Sequence, residues 1–184
     1  MGENWNYVAF SDKKRFNLEG SGGFSCYWHD LWQNDPPRLS RNLGGSTVMC
    51  WAAFLSSSKT QMCFISTKMN SKMHTDLLED ILIPFMDDNM DGNAIFQHVL
   101  TLTKSWLTDH NITCLDLPAC SPNINPIENL WDILALRVYL NGYPFEEVAS
   151  LKQEITNAWG TIGQETLHAL SKSMPYRIFA VAKY

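Results

Sequence analysis

The chain has 184 residues, the length of one ordinary domain, with 45% hydrophobic and 18% charged residues. That balance excludes a disordered chain and leaves ample apolar surface for an unaided core. The formal net charge of −5 excludes a strongly basic nucleic-acid-binding module but not a nuclease-type site, which is itself acidic. No apolar run reaches the length of a membrane span, and no basic-then-apolar leader opens the chain, so an intracellular protein without membrane contact is expected.

Trp5 to Phe10 is an apolar run of β-favouring residues and predicts a first strand ending at Ser11-Asp12. Phe16-Asn17-Leu18 predicts a second strand, which runs into the turn Glu19-Gly20-Ser21-Gly22-Gly23. Residues 29–46 contain Asp35-Pro36-Pro37 and Gly44-Gly45 and read as a loop. Thr47 to Phe54 is continuously apolar, as a buried central strand requires. Ser56-Ser57-Ser58 then makes a turn, and Lys59 to Thr67 reads as the next strand.

Helical spacing follows. Leu77, Leu78, Ile81, Leu82, Phe85 and Met86 give one helix an apolar face, and Pro84 is expected to kink or end it. Ala94 to Gln97 and Ile112 to Leu117 read as short strands on either side of a helix over Thr101–Asn111. Asn125 to Leu140 is a helix with Ile127, Leu130, Trp131, Leu134 and Val138 on one side. Beyond Gly142 the stripes Val148/Leu151/Ile155/Trp159 and Leu167/Leu170/Met174 predict two more helices, and Pro175 suits the start of a last short one. Strands, then alternating helices and strands, then helices make an α/β layer architecture with mixed strand directions.

The five cysteines (Cys26, Cys50, Cys63, Cys114, Cys120) are scattered and form no Cys-x-x-Cys pair, so they read as buried free thiols rather than a zinc site. The tryptophans fall mostly at core-facing spacings and read as packing residues. No glycine-rich phosphate loop and no nucleophile–base pair stands out.

Two acids carry the chemical interest. Asp12 directly follows an apolar strand, and an acid at the carboxyl end of a central strand points to the crevice where α/β sheets bind ligands; the plainer reading is a turn-forming aspartate. Glu128 sits in the first turn of a helix that Asn125 can cap and Pro126 can open, so it can also complete a capping box. Local sequence leaves both alternatives open.

Larger blocks resemble a known family. Phe10-Ser11-Asp12 with Phe16-Asn17-Leu18, Tyr27-Trp28-His29-Asp30-Leu31, and Gly44 through Trp51 are similar to the early blocks of Tc-mariner transposases. Ser121-Pro122, Asn125-Pro126-Ile127-Glu128-Asn129-Leu130-Trp131 and Ser173-Met174-Pro175 resemble their later blocks. The resemblance runs from about residue 5 to the end and makes residues 1–184 a single DDE-type catalytic domain. It implies a ribonuclease H-like mixed sheet flanked by helices with a helical C-terminus. It also implies three acids that hold two divalent metals, Mg²⁺ or Mn²⁺, for DNA cleavage and strand transfer in transposition and integration. Asp12 and Glu128 match the first and third acids as catalytic and metal-holding residues.

The second acid has no match. The family pattern there resembles Phe-Gln-Gln-Asp-Asn-Ala-Pro-x-His, whereas this chain reads Phe96-Gln97-His98, which removes six residues between Gln97 and His98. The spacing agrees. His98 and Glu128 have 29 residues between them, and an aspartate five places before that histidine would leave 34, the spacing the motif implies. Asp116, Asp109 and the Asp87-Asp88 pair do not occupy an equivalent place. His98 is a minor candidate for a metal or phosphate contact.

Lys13 replaces a residue usually acidic in the family, and Lys13-Lys14-Arg15 read as a solvated loop more readily than as a phosphate contact. Asn123 replaces a common aspartate. The helix-turn-helix modules that family members carry upstream are not in this sequence, so only weak or non-specific DNA binding is expected of it. The resemblance further implies a nuclear or diffuse intracellular location and, as partners, DNA, a second copy or a full-length transposase. The expected function is a degenerate transposase catalytic domain. The alternative is a co-opted, non-catalytic binding or assembly module.

Overall fold

In the computed structural model the described residues are 5–20, 46–89, 95–97, 104–110, 112–115, 124–142 and 144–182. Five strands, β1 (Val8–Asn17), β2 (Thr47–Phe54), β3 (Cys63–Ile65), β4 (Ile95–Gln97) and β5 (Thr113–Leu115), form one sheet in the order β3-β2-β1-β4-β5. β1 and β3 pair antiparallel with β2, whereas β4 pairs parallel with both β1 and β5. The mixed sheet expected from the alternation of elements is therefore present, with β1 at its centre.

Period-two alternation sends the strand residues to two cores. Val8, Phe10 and Phe16 of β1 and Val48, Cys50, Ala52 and Phe54 of β2 face the core capped by helices α4 (Ile127–Val138), α5 (Val148–Gly160), α6 (Gln164–Lys172) and α7 (Met174–Ala182). Ala9, Trp51, Ala53 and Phe96 face the opposite core, closed by the helical segment formed by α1 (Ser71–Leu77), a turn at Leu78–Leu82 and α2 (Ile83–Asn89), and by α3 (Lys104–Asp109), through Leu78, Leu82, Met86 and Leu107. The cross-strand partners Phe10 and Phe54 set their rings 5.4 Å apart at the heart of the first core.

The first strand departs from the sequence reading. Trp5–Tyr7 is a 3₁₀ turn, and β1 starts at Val8 and runs unbroken to Asn17, so Phe16-Asn17 belongs to the same strand. Asp12 thus lies within β1 rather than at its end, and Lys13-Lys14-Arg15 are strand residues, not loop. The polar stretch hid this continuity. Every residue from Phe10 to Asn17 has a partner on apolar β2, and that ladder overrides local composition. β3 is likewise shorter than Lys59–Thr67, with Lys59 making only an isolated bridge to Phe54.

Pro84 neither ends nor breaks its helix. Its nitrogen cannot donate to the carbonyl one turn back, and the chain widens into a π-helical turn at Leu78–Leu82, where the Ile83 N–H reaches the Leu78 carbonyl. The expected apolar stripe of α4 is buried throughout: Ile127, Leu130, Trp131, Leu134 and Val138. In α5, Leu151, Ile155 and Trp159 are buried. Cys50 is buried, Cys63 and Cys114 are half-buried, and none of the three forms a disulfide. Burial pushes the Cys50 thiol up to about 12 and the Cys63 thiol to about 11, which keeps both protonated and unreactive at neutral pH. Cys26, Cys120, His98, Asp116, Asn123 and the loop at 29–45 lie outside the described residues. Among the described residues no helix is long and apolar enough to cross a membrane.

The C-terminal helices are tied to the sheet by polar contacts as well as by apolar burial. Trp159 Nε1 donates to the Thr60 carbonyl at 2.8 Å, and Lys59 Nζ donates to the Ile162 carbonyl at 2.6 Å. Ser56 Oγ and His168 Nδ1 lie 2.7 Å apart, clamping α6 to the turn after β2. This serine–histidine contact was not visible in the sequence, whose two members are 112 positions apart. Tyr139 Oη donates to the Asn17 carbonyl and accepts from the Asn17 N–H, joining the end of α4 to the end of β1.

Candidate active site

The site forms where α4 starts against the middle of β1. Asn125 sets that junction. Its Nδ2 donates to the Ser11 carbonyl at 3.1 Å, and its Oδ1 accepts from the Ile127 N–H at 3.3 Å. One buried side chain therefore both satisfies the start of the helix and fixes it beside the residue preceding Asp12. Pro126 follows at the helix entrance, where its missing N–H costs nothing.

Asp12 shares the α4-facing side of β1 with Phe10, as alternation requires. Glu128, in the first turn of α4, meets it, and the two carboxyl groups are close enough to influence each other's protonation directly. Glu128 thus faces β1 instead of closing a capping box. One turn further on, Trp131 is fully buried, and its indole N–H lies near Asp12 but completes no hydrogen bond. Lys14, two residues past Asp12 on the same face, places Nζ 4.0 Å from Glu128 Oε2.

Both carboxyls hold their protons more firmly than usual. Burial is the main cause for Asp12, opposed by the Lys13 backbone N–H, the contacts from Glu128 and Trp131, and the Lys14 charge. For Glu128 burial leads again, reinforced by the charge of Asp12 and more weakly by Asp132, and opposed by Lys14. Burial also lowers the pKa of Lys13. Two facing acids that resist joint ionisation form a pair able to exchange a proton for a cation.

The sign of the resulting pH dependence follows. A carboxyl with a raised folded pKa binds protons more tightly in the fold than in the unfolded chain. This pair's stabilising effect is therefore full below the ordinary carboxylate range and is lost as pH rises through the raised values. Glu128→Gln is expected to raise the metal-free melting temperature at pH 7 only slightly, because Glu128 is 39% exposed and solvent screens much of the effect. It should also flatten the fall in stability as pH rises above the ordinary carboxylate range. Melting curves across that range check this, and a lower melting temperature for the variant at pH 7 would contradict it.

The donors present suit a hard divalent cation, since Mg²⁺ and Mn²⁺ take carboxylate and water oxygens. Asp12 and Glu128 fit one such ion. Among the described residues, no group of three or more His, Cys, Asp or Glu side chains is placed to hold a metal, so a second ion finds no matching set there. The sheet register shows where a third acid would have to come from. Phe10 pairs with Gln97, so the strand position beside Asp12 lies two residues past Gln97; in sequence that residue is Val99, whose placement is outside the described residues.

Sequence reasoning named Asp12 and Glu128, and the fold brings them together. It missed Lys14 as a partner of Glu128 and Trp131 as a partner of Asp12. Each had a signal: Lys14 is two places from Asp12 on a strand, and Trp131 is three from Glu128 on a helix, each spacing putting the residues on one face.

The chain is similar to known proteins along most of its length. The DDE superfamily endonuclease family model matches residues 7–152. The chain is 40% identical over 189 residues to the transposable element Tc3 transposase of Caenorhabditis elegans, covering 100% of this chain and 57% of that protein. It is 30% identical over 188 residues to the Tc1 transposase of the same organism, covering 97% of this chain and 68% of that protein. The crystal structure of the mariner Mos1 paired end complex with Mg superposes with a TM-score of 0.75 at 14% identity, over 95% of this chain and 54% of that one. That likeness shows the ribonuclease H-like fold. The chain spans little more than half the length of the Tc3 and Mos1 proteins.

Proposed function

The chain belongs to the Tc1-mariner family of DDE superfamily endonucleases, and from that premise we propose that it is a transposase-derived phosphoryl-transfer domain for DNA whose active site has lost its second acid. Residues 1–184 act as one catalytic-type domain, working on nuclear DNA. The observation that carries this reading is the Asp12–Glu128 pair, brought together across β1 and α4, with no third His, Cys, Asp or Glu placed to complete a metal site among the described residues.

Asp12 and Glu128 would hold one divalent ion, which when bound would polarise a phosphoryl oxygen and stabilise charge on the attacking or leaving oxygen. Asn125 keeps the two carboxylates in register by fixing α4 to Ser11, and buried Trp131 excludes water from behind Asp12 while offering it an N–H. In a complete site an acid beyond β4 shares the load with Asp12. Without it, the pair cannot place charge on both sides of an in-line displacement. DNA contacts and pairing with a second copy or a full-length transposase would use surfaces around this site.

Nicking of supercoiled plasmid with Mn²⁺ tests the reading. The chain is expected to nick slowly, on the order of 10²–10³-fold below a complete site, the range lost with one preorganised electrostatic group. Glu128→Gln should abolish that residue of activity. Nicking unaffected by Glu128→Gln would contradict the assignment. Stable association with a full-length transposase, without any cleavage, would replace it with the assembly-module reading.

A further inference from the structure

We infer that Lys14 is the resident counter-cation of the acid pair and competes with a divalent ion for it, an inference that rests on reading Asp12 and Glu128 as the residual metal site. β1 is extended through this region, so Asp12 and Lys14 project to the same side, the side that α4 covers. Glu128 lies over both, with Lys14 Nζ 4.0 Å from its Oε2. The two side chains are 30% and 39% exposed, so their charges interact more strongly than a freely solvated pair. Lys13, adjacent in sequence, alternates to the other side of the strand.

A cation at this point has two consequences. It offsets part of the repulsion between Asp12 and Glu128 when both are ionised, which stabilises the metal-free fold. It also places a positive charge where an incoming Mg²⁺ or Mn²⁺ must sit, so binding has to displace it. Lys14 has somewhere to go. It lines a cavity of about 220 Å³ together with Arg15, Asp132, Ala135 and Tyr139, and the Asp132 carboxylate there can receive the ammonium. Lys14 would therefore set the threshold of divalent-ion concentration at which the site fills.

The test is thermal melting of the whole chain, Lys14→Met, Glu128→Gln and the double variant, each with and without Mn²⁺, joined by calorimetric titration of Mn²⁺. Methionine keeps the length of the stem and removes the charge. Without metal, Lys14→Met is expected to lower the melting temperature by about one or two degrees in the native background and to change little in the Glu128→Gln background. With Mn²⁺, Lys14→Met should bind roughly two- to fivefold tighter than the native chain, the scale of a partly exposed ion pair. Lys14→Arg should restore native affinity. Equal Mn²⁺ affinity in the native chain and Lys14→Met would overturn the competition while leaving the metal site standing. No Mn²⁺ binding by either would overturn both.

Discussion

Inserting the six residues Gln-Asp-Asn-Ala-Pro-Ile between Gln97 and His98 is expected to raise Mn²⁺-dependent DNA nicking by about 10²-fold or more over the present chain, the scale on which one preorganised electrostatic group acts in a transition state. The reasoning is geometric. Register puts Gln97 beside Phe10, so an aspartate two positions further along β4 arrives beside Asp12, on the side of β1 away from β2. Asp12 would then be flanked by one carboxylate from β4 and one from α4, the arrangement in which a central acid can serve two ions. The same insertion carrying asparagine in place of its aspartate separates the charge from the length of the turn. If both insertions nick alike, turn length rather than the acid is what the chain lacks.

The second large effect concerns stability. Trp131 is fully buried, stacked on Trp159 with ring centroids 5.8 Å apart, and it lies directly behind the acid pair. Trp131→Ala is expected to cost about 3–5 kcal/mol, a large share of the roughly 5–15 kcal/mol that holds a domain folded. At 2–4 °C per kcal/mol, the melting temperature should fall by roughly 10 °C or more. Trp131→Phe retains most of the packing and removes an N–H that completes no hydrogen bond, so it should lose much less than Trp131→Ala. Denaturant unfolding monitored by circular dichroism distinguishes the two. A midpoint unchanged in Trp131→Ala would mean that α4 does not depend on this residue for its seat on the sheet.

Much of the fold was legible because its strongest elements are locally unambiguous. β2 is an uninterrupted apolar run and has the bounds its composition implied. The buried stripes of α4 and α5 follow helical periodicity almost without exception. β1 was harder. Its middle, Ser11 to Arg15, is polar, so hydrophobic pattern broke off where the backbone continued. Only pairing with apolar β2 restores the strand there. The π-helical turn before Pro84 was illegible for a different reason. Proline announces a disruption but not which of several backbone adjustments will absorb it.

The site divides in the same way. Motif resemblance supplied Asp12 and Glu128, and the fold gives their union a physical cause in Asn125, which joins the start of α4 to the Ser11 carbonyl. Lys14 and Trp131 needed the sheet register and the helix docking before their roles appeared. Both modify how tightly the acids hold protons.

Calorimetric titration of Mn²⁺ into the present chain, its Glu128→Gln variant and the six-residue insertion tests the central claim most directly. The expected result is weak saturable binding by the chain, none by Glu128→Gln, and tighter binding with a higher stoichiometry in the insertion. Binding by the chain that survives Glu128→Gln, or an insertion that binds no better than the chain, would contradict the reading of a two-acid remnant of a three-acid site.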